Sequence, residues 1–298
     1  MIPVSSEDQS LWRLAESLSI RINRRQAASA NPSARVGRAG QGLDFMGYRP
    51  YRFGDDVRHV DWALYARHRS TFVREFEDDS LGCLTILIDA TGSMAVGEPA
   101  KWMTARRIAA VFAYATLRAL HAVVVGVAID GTIQWLPRGI GRDFGHRLSS
   151  FLTSIEPAGT VGPEGVNQAL LSRIQPSHVL VLSDFLDQAS TWTAIPTVTK
   201  TPVSLCRISA AREFQVPEVG AYLCDSEGLN TTRQIETEAQ RKKLQAGIAS
   251  YRNGFEKRMS NRPGAWCDVT SDEALELVVQ RVLTCVNRQD GYRRSQRS

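Results

Sequence analysis

Two aspartates end apolar runs in this chain of 298 residues. Thr85-Ile-Leu-Ile-Asp89 continues into Ala90-Thr91-Gly92-Ser93-Met94, and the run over 179–184 ends at Asp184. Between them, Gly159-Thr160 falls in a predicted loop ahead of a predicted helix. In open parallel sheets the functional crevice lies beyond the carboxyl ends of the strands, so polar residues at those ends are the first place to look for chemistry. A tight loop after a strand turns alternate side chains toward one point, which suits Asp89, Thr91 and Ser93, and Gly92 lets the chain bend. With Thr160 and Asp184 these make an all-oxygen set of carboxylates and hydroxyls. Such a set suits a hard divalent ion that keeps some water ligands, Mg²⁺ first and Mn²⁺ second. Helix N-termini beside the loop favour anions, so the carboxylates have to outweigh that dipole. A single strand-ending aspartate is commonly a helix cap; the joint pattern carries the metal reading.

Asp89-Ala-Thr-Gly-Ser also touches two enzyme patterns, the Asp-Lys-Thr-Gly-Thr loop of cation-pumping ATPases and the Asp-Thr-Gly-Ser of aspartic proteases. Ala90 stands where the first needs a charge-compensating lysine, and Asp184 has no paired aspartate. The second belongs to an all-β fold. None of His59, His68, His121, His146 and His178 stands at ligand spacing from another His or Cys, and no Gly-x-Ser-x-Gly or Gly-Lys-Ser/Thr occurs. Zinc and a bound nucleotide are therefore not expected, and the chain reads as a binding protein without catalysis. Two alternatives remain open: a metal-assisted phosphoryl-transfer enzyme with Asp89 as nucleophile, and a scaffold whose metal loop is vestigial.

These residues need a frame to hold them. From about residue 81, strand-like apolar runs alternate with helical stretches, which predicts an α/β fold with a doubly wound, mainly parallel sheet. Strands are expected over 84–89, 123–129, 132–136, 179–184, 203–208 and 266–269. Helices are expected over 99–120, 141–154, 163–174, 235–260 and 271–287. Asp130-Gly131 is a tight-turn pair, so the second and third strands form a hairpin and one edge strand runs antiparallel. Upstream, Leu11, Leu14, Ala15, Leu18 and Ile22 stand at helical spacing, and 27–42 reads as a connector. The expected organisation is an N-terminal helix and connector over 1–42, an accessory β segment over 43–80, and the main domain over 81–298. The accessory segment interleaves aromatics with Asp55, Arg58, Asp61 and Arg67; it is expected as short strands and turns, with these charges forming a salt-bridge network that holds it against the main domain or an exposed docking surface.

Composition narrows the partners. The hydrophobic share of 43% and charged share of 22% are ordinary for a globular protein. Net charge is +5, but Arg288, Arg293, Arg294 and Arg297 against Asp290 put most of that surplus in the last residues, expected as a solvated tail. The body lacks the basic excess of a nucleic-acid groove. Arg21, Arg24 and Arg25 read as a solvated helix face. Cys83, Cys206, Cys224, Cys267 and Cys285 form no CxxC pair and sit mostly in apolar runs, as reduced buried thiols do. The amino terminus shows no secretory pattern, and Arg118 and His121 interrupt the longest apolar stretch. A cytoplasmic protein without a membrane span is expected.

Asp89-x-Thr91-x-Ser93, with Thr160 and Asp184 at matching strand and loop ends, resembles the metal-ion-dependent adhesion site of von Willebrand factor type A domains. The upstream residues narrow the resemblance: Gly42-Leu-Asp-Phe45, Arg49-Pro-Tyr51-Arg-Phe-Gly54-Asp55-Asp-Val-Arg58-His-Val-Asp61-Trp62, Ala66-Arg67 and Glu75. Together these are similar to the bacterial domain of unknown function family fifty-eight, over nearly the whole chain. The resemblance implies a type A domain serving as adaptor for a MoxR-type AAA+ ATPase. It further implies that Thr91, Ser93 and Thr160 bind the ion directly or through water, that Asp89 and Asp184 stand about one water away, and that an open position accepts a partner's carboxylate. Thr91 stands where serine is usual and supplies the same hydroxyl.

Overall fold

The computed structural model describes residues 10–18, 44–51, 60–77, 82–160, 178–186, 202–224, 232–260 and 265–295. The chain divides into two units, Met1–Ile22 with Cys83–Ser298 in one and Asn23–Gly82 in the other.

In the smaller unit, β1 (Asp44–Pro50) pairs antiparallel with β2 (Phe72–Glu77), with a register shift between Phe45 and Gly47. Between them lies α2 (Trp62–His68), a helix where only strands and turns were expected. Asp61 accounts for it: Oδ1 accepts the Leu64 N–H at 2.9 Å, an N-cap that satisfies an otherwise orphaned helix donor. Oδ2 accepts the Tyr48 hydroxyl at 2.9 Å, which ties the helix start to β1. Asp61 thus serves as a helix cap and a strand tie within the smaller unit. Arg67 is exposed, and Asp55 and Arg58 lie outside the described residues.

The larger unit is built on β3 (Cys83–Asp89), α3 (Lys101–Arg118), β4 (Ala122–Ile129), β5 (Thr132–Gly139) and α4 (Arg142–Thr153). These are followed by β6 (His178–Ser183), β7 (Val203–Ser209), a small hairpin of β8 (Tyr222–Cys224) and β9 (Thr232–Gln234), α5 (Glu238–Ser260), β10 (Ala265–Thr270) and α6 (Leu275–Ser295). Among the described residues six strands form one sheet in the order β10-β7-β6-β3-β4-β5. Every pairing is parallel except β4 with β5. The doubly wound α/β sheet is as expected, each strand within a few residues of its predicted bounds.

The apolar runs behave as strands buried on both faces should, with successive side chains pointing to opposite sides. Ile86, Ile88, Leu180 and Leu182 join one core cluster with Ile108, Leu148 and Val282. Leu87, Val179, Val181 and Leu205 join the other with Phe255 and Met259. The helix over 10–18 adds Leu11, Ala15 and Leu18 to the first cluster, and Trp12 stacks on Tyr114 at 4.3 Å between ring centroids. At the β4–β5 turn, Asp130 and Gly131 take φ of 45° and 74°, the backbone that matches the twist of a two-residue hairpin.

Two differences stand out. The β8–β9 hairpin was not foreseen, because three-residue strands carry too little periodicity to register. The last helix runs to Ser295 instead of stopping near 287, so helical backbone extends into the basic end expected as a tail. The helix expected over 163–174 lies outside the described residues. Cys83, Cys206, Cys267 and Cys285 are buried and in no disulfide.

Gly159 shows how closely the loop before residue 160 approaches the β4–β5 turn. Its φ is 64°, and a Cβ there would lie 2.6 Å from Asp130 Oδ1 and 2.9 Å from Asp130 Cα. Gly159→Ala is expected to destabilise the protein by about 2–3 kcal/mol, from left-handed strain plus a backbone clash. Urea unfolding checks it; a loss below about 0.5 kcal/mol contradicts the close approach.

Candidate functional site

The connections leave β3 toward β4 on one side, and the chain then returns to lay β6 on the other side of β3. The carboxyl ends of β3 and β6 are therefore the switch point of the sheet, where such folds open a crevice. Asp89 ends β3, Ser183 ends β6, and Asp184 is the first residue beyond.

Asp89 is 2% exposed. Its Oδ1 accepts the Thr91 N–H at 3.0 Å and its Oδ2 accepts the Ser183 hydroxyl at 2.6 Å. Ser183 Oγ in turn accepts the Phe185 N–H at 2.9 Å. Thr91 Oγ1 and Ser93 Oγ lie 3.1 Å apart, both residues buried, at the start of a single 3₁₀ turn over Gly92–Ala95. The loop before 160 closes on this turn through backbone: Gly92 N–H to Gly159 O at 3.0 Å and Ala158 N–H to Ala90 O at 2.9 Å. Asp89, Thr91 and Ser93 are thus brought together as their spacing suggests. Thr160 is on the neighbouring loop with an exposed side chain, its carbonyl accepting the Gly131 N–H.

Asp184 has both oxygens engaged. Oδ1 accepts the Leu186 N–H at 3.1 Å in a local turn, and Oδ2 accepts Lys101 Nζ at 2.7 Å. Lys101 opens α3, is wholly buried, and also donates to Glu213 Oε1. Glu213 Oε2 accepts the Ala210 N–H at 3.0 Å just after β7. Lys101 thus joins the carboxylates of Asp184 and Glu213, with Asp184 following the Ser183 that donates to Asp89.

Lys101, Glu213 and Ser183 were absent from the sequence reading. Lys101 had a signal, being in phase with Thr104, Ala105 and Ile108 on the buried stripe of α3, where a charge demands a partner. Ser183 was a polar residue within a buried run, beside Asp89 by strand register. Glu213 had none, since a loop glutamate shows nothing of its partner.

Burial, and behind it the Asp184 carboxylate, push Asp89 up to about 6, against the relief given by Ser183 and Thr91. Strain adds to this: Phe185, a bulky residue, takes φ of 53°, held by Ser183 Oγ and by the Tyr251 hydroxyl on its carbonyl at 2.7 Å. Among the described residues no three His, Cys, Asp or Glu side chains gather as a metal-holding group. An ion here would have to draw on hydroxyl oxygen. The donor set fits that demand, because Asp89 is an under-compensated carboxylate in a dry setting beside a pair of hydroxyls, a charge that a divalent cation relieves.

A family model described as "Protein of unknown function DUF58" matches residues 47–254. The chain belongs to the DUF58 family. The crystal structure of BatB from Bacteroides thetaiotaomicron is similar to this DUF58 chain at 16% identity and a TM-score of 0.40, covering 70% of this chain and 99% of that one. An aerotolerance-related membrane protein from Bacteroides fragilis gives 16% and 0.42, covering 70% and 99%. The SpRpn10 VWA domain gives 13% and 0.37, covering 67% and 94%. No curated protein matches the sequence. Among the described residues no helix is long and apolar enough to cross a membrane.

The raised Asp89 carboxyl makes a prediction for metal-free protein. A group that binds its proton more readily folded than unfolded contributes stability at low pH and loses it as pH rises through the folded value. Asp89→Asn keeps the acceptor for Thr91 N–H and can donate to Ser183. With chelator present, the variant is expected to match wild type near pH 4 and to exceed it by on the order of 2–3 kcal/mol above pH 7. Urea melts across pH check this, and a gap that does not change with pH contradicts it.

Proposed function

We propose that this DUF58 protein is a metal-dependent protein-binding module, with Asp89, Thr91 and Ser93 at the centre of the site and Thr160 and Asp184 beside it. The observation that carries the reading is the buried Asp89 carboxylate beside the Thr91–Ser93 hydroxyl pair at the switch point of the sheet. Bound Mg²⁺, or Mn²⁺, supplies a Lewis-acidic point that accepts a carboxylate from a partner protein. Asp89 orients the loop through Thr91 N–H and carries the charge that makes the crevice attractive to a cation. Thr91 and Ser93 present neutral oxygens, which leave the ion electrophilic toward an incoming acidic residue. Asp184 is tied to Lys101 and Leu186 beside the site, its charge compensated by the ammonium, and direct ligation would require it to give up Lys101.

The resemblance of the motifs to the family supports a finer reading. The partner is a MoxR-type AAA+ ATPase or the client which that ATPase remodels, in the cytoplasm, with this chain as adaptor. ATP hydrolysis then belongs to the partner, because nothing in this sequence cradles phosphates.

One observation bears on the enzyme alternative. The lysine missing at position 90 has a counterpart in Lys101 at the same crevice. Yet Lys101 is aimed at Asp184, and both oxygens of the buried Asp89 already accept hydrogen bonds, so Asp89 is poorly placed as a nucleophile.

Chelator-stripped protein is expected to bind Mg²⁺ saturably by calorimetry and to gain roughly 2.7 kcal/mol of stability at a hundredfold excess over its dissociation constant. Asp89→Ala is expected to lose both effects. Wild type and variant are both expected to show no turnover of p-nitrophenyl phosphate or acetyl phosphate with Mg²⁺. Absence of metal binding by wild type contradicts the reading, and metal-dependent turnover that Asp89→Asn abolishes replaces it with the enzyme one.

A further inference from the structure

Lys101 is the group in this crevice that a metal site does not call for. An ammonium with no exposed surface is costly unless it is paired and hydrogen-bonded. It also opens α3, where the helix dipole repels a cation, and the first turn of α3 contains no acidic residue to offset this. Its compensation comes instead from two separate strand ends: Asp184 beyond β6 at 2.7 Å, and Glu213 beyond β7. Glu213 is itself fixed by the Ala210 N–H, so the turn after β7 is joined through Lys101 to the residue after β6.

We propose that Lys101 is a positioning residue of this same site. Its ammonium is a resident counter-charge that keeps Asp184 off the cation and latches the turn after β7 to the crevice, so the Lys101–Asp184–Glu213 cluster sets the cation affinity. The proposal rests on the metal reading above. Its logic is electrostatic. Asp184 cannot give one oxygen to Lys101 and one to Leu186 N–H and still ligate an ion without losing a partner. A positive charge held near a divalent ion opposes it, and at the effective dielectric of protein sites that opposition is worth roughly one to several powers of ten in affinity. Glu213 softens the opposition by sharing the ammonium. Removing Lys101 and removing the Glu213 charge therefore act in opposite directions on the cation, although both damage the same ion-pair cluster.

The test is Mg²⁺ calorimetry on the full chain after chelator treatment, at one pH and ionic strength, with thermal melts of the same samples. Lys101→Met is expected to melt lower without metal and to bind Mg²⁺ at least roughly tenfold tighter than wild type. Glu213→Gln, which keeps the side chain's size and an oxygen for the Ala210 N–H, is expected to bind Mg²⁺ roughly threefold to tenfold more weakly. A lysine that served folding alone would shift both variants the same way or leave affinity untouched. If wild type binds Mg²⁺ and both variants match it or both weaken, the Lys101 proposal fails while the metal reading stands. If wild type is silent and Lys101→Met binds, the ammonium excludes the ion from the native chain, and both the metal reading and the proposal fail. If no chain binds, both fail. Should Lys101→Met not fold, Glu213→Gln decides alone, an unchanged affinity overturning the proposal.

Discussion

A buried ammonium between the ends of two parallel strands is the constraint on which the rest of this molecule depends. Lys101 has no exposed surface, and Asp184 is 3% exposed. Neither could be desolvated alone, because breaking a buried pair leaves an uncompensated charge at a cost of several kcal/mol. The pair therefore demands that α3 start where β6 ends, and it demands Glu213 as well, since Asp184 alone leaves the ammonium with unused donors. The parallel β3–β4 pairing is compatible with that start point, because its crossover has to leave from the carboxyl end of β3 and return along α3.

That geometry concentrates unfavourable features at one edge and leaves the remainder of the fold regular. The strands are apolar runs with alternating faces, the β4–β5 hairpin has the turn its geometry requires, and the core clusters divide cleanly between the two faces of the sheet. At the carboxyl edge the rules are broken together. A lysine sits at a helix N-terminus, a carboxyl is held up at about 6, a phenylalanine takes a left-handed backbone, and a glycine is pressed against a neighbouring turn. Local conflicts of this kind gather where function overrides stability.

The frame and part of the site were legible in the sequence for different reasons. Strands of the sheet are continuous Val, Leu and Ile runs, and burial on both faces leaves that trace in composition without any partner being known. Asp89, Thr91 and Ser93 were legible because they lie within five residues and act on each other locally. Lys101, Asp184 and Glu213 span more than a hundred residues, and their relation exists only through the order of strands. Asp184 could be seen as a strand-end carboxylate, yet its engagement with Lys101 could not. Asp61 was similar in kind: its aromatic surroundings marked it as structural, while its action as cap of a short helix required the fold.

The arrangement also separates two kinds of negative charge that a reading by residue type treats as equivalent. Asp184 is neutralised from within by Lys101, and its remaining oxygen is spent on backbone. Among the described residues the donors to Asp89 are neutral: the Thr91 N–H, the Thr91 side chain and the Ser183 hydroxyl. Neutral hydrogen bonds lower the cost of a buried carboxylate without cancelling its field. Of the two strand-end aspartates, Asp89 is accordingly the one whose charge is left for something outside the chain. On the proposed reading, the Thr91 and Ser93 hydroxyls would share a cation drawn in by that charge. The cation would then be held by one strong and several weak oxygens and would face an acidic partner.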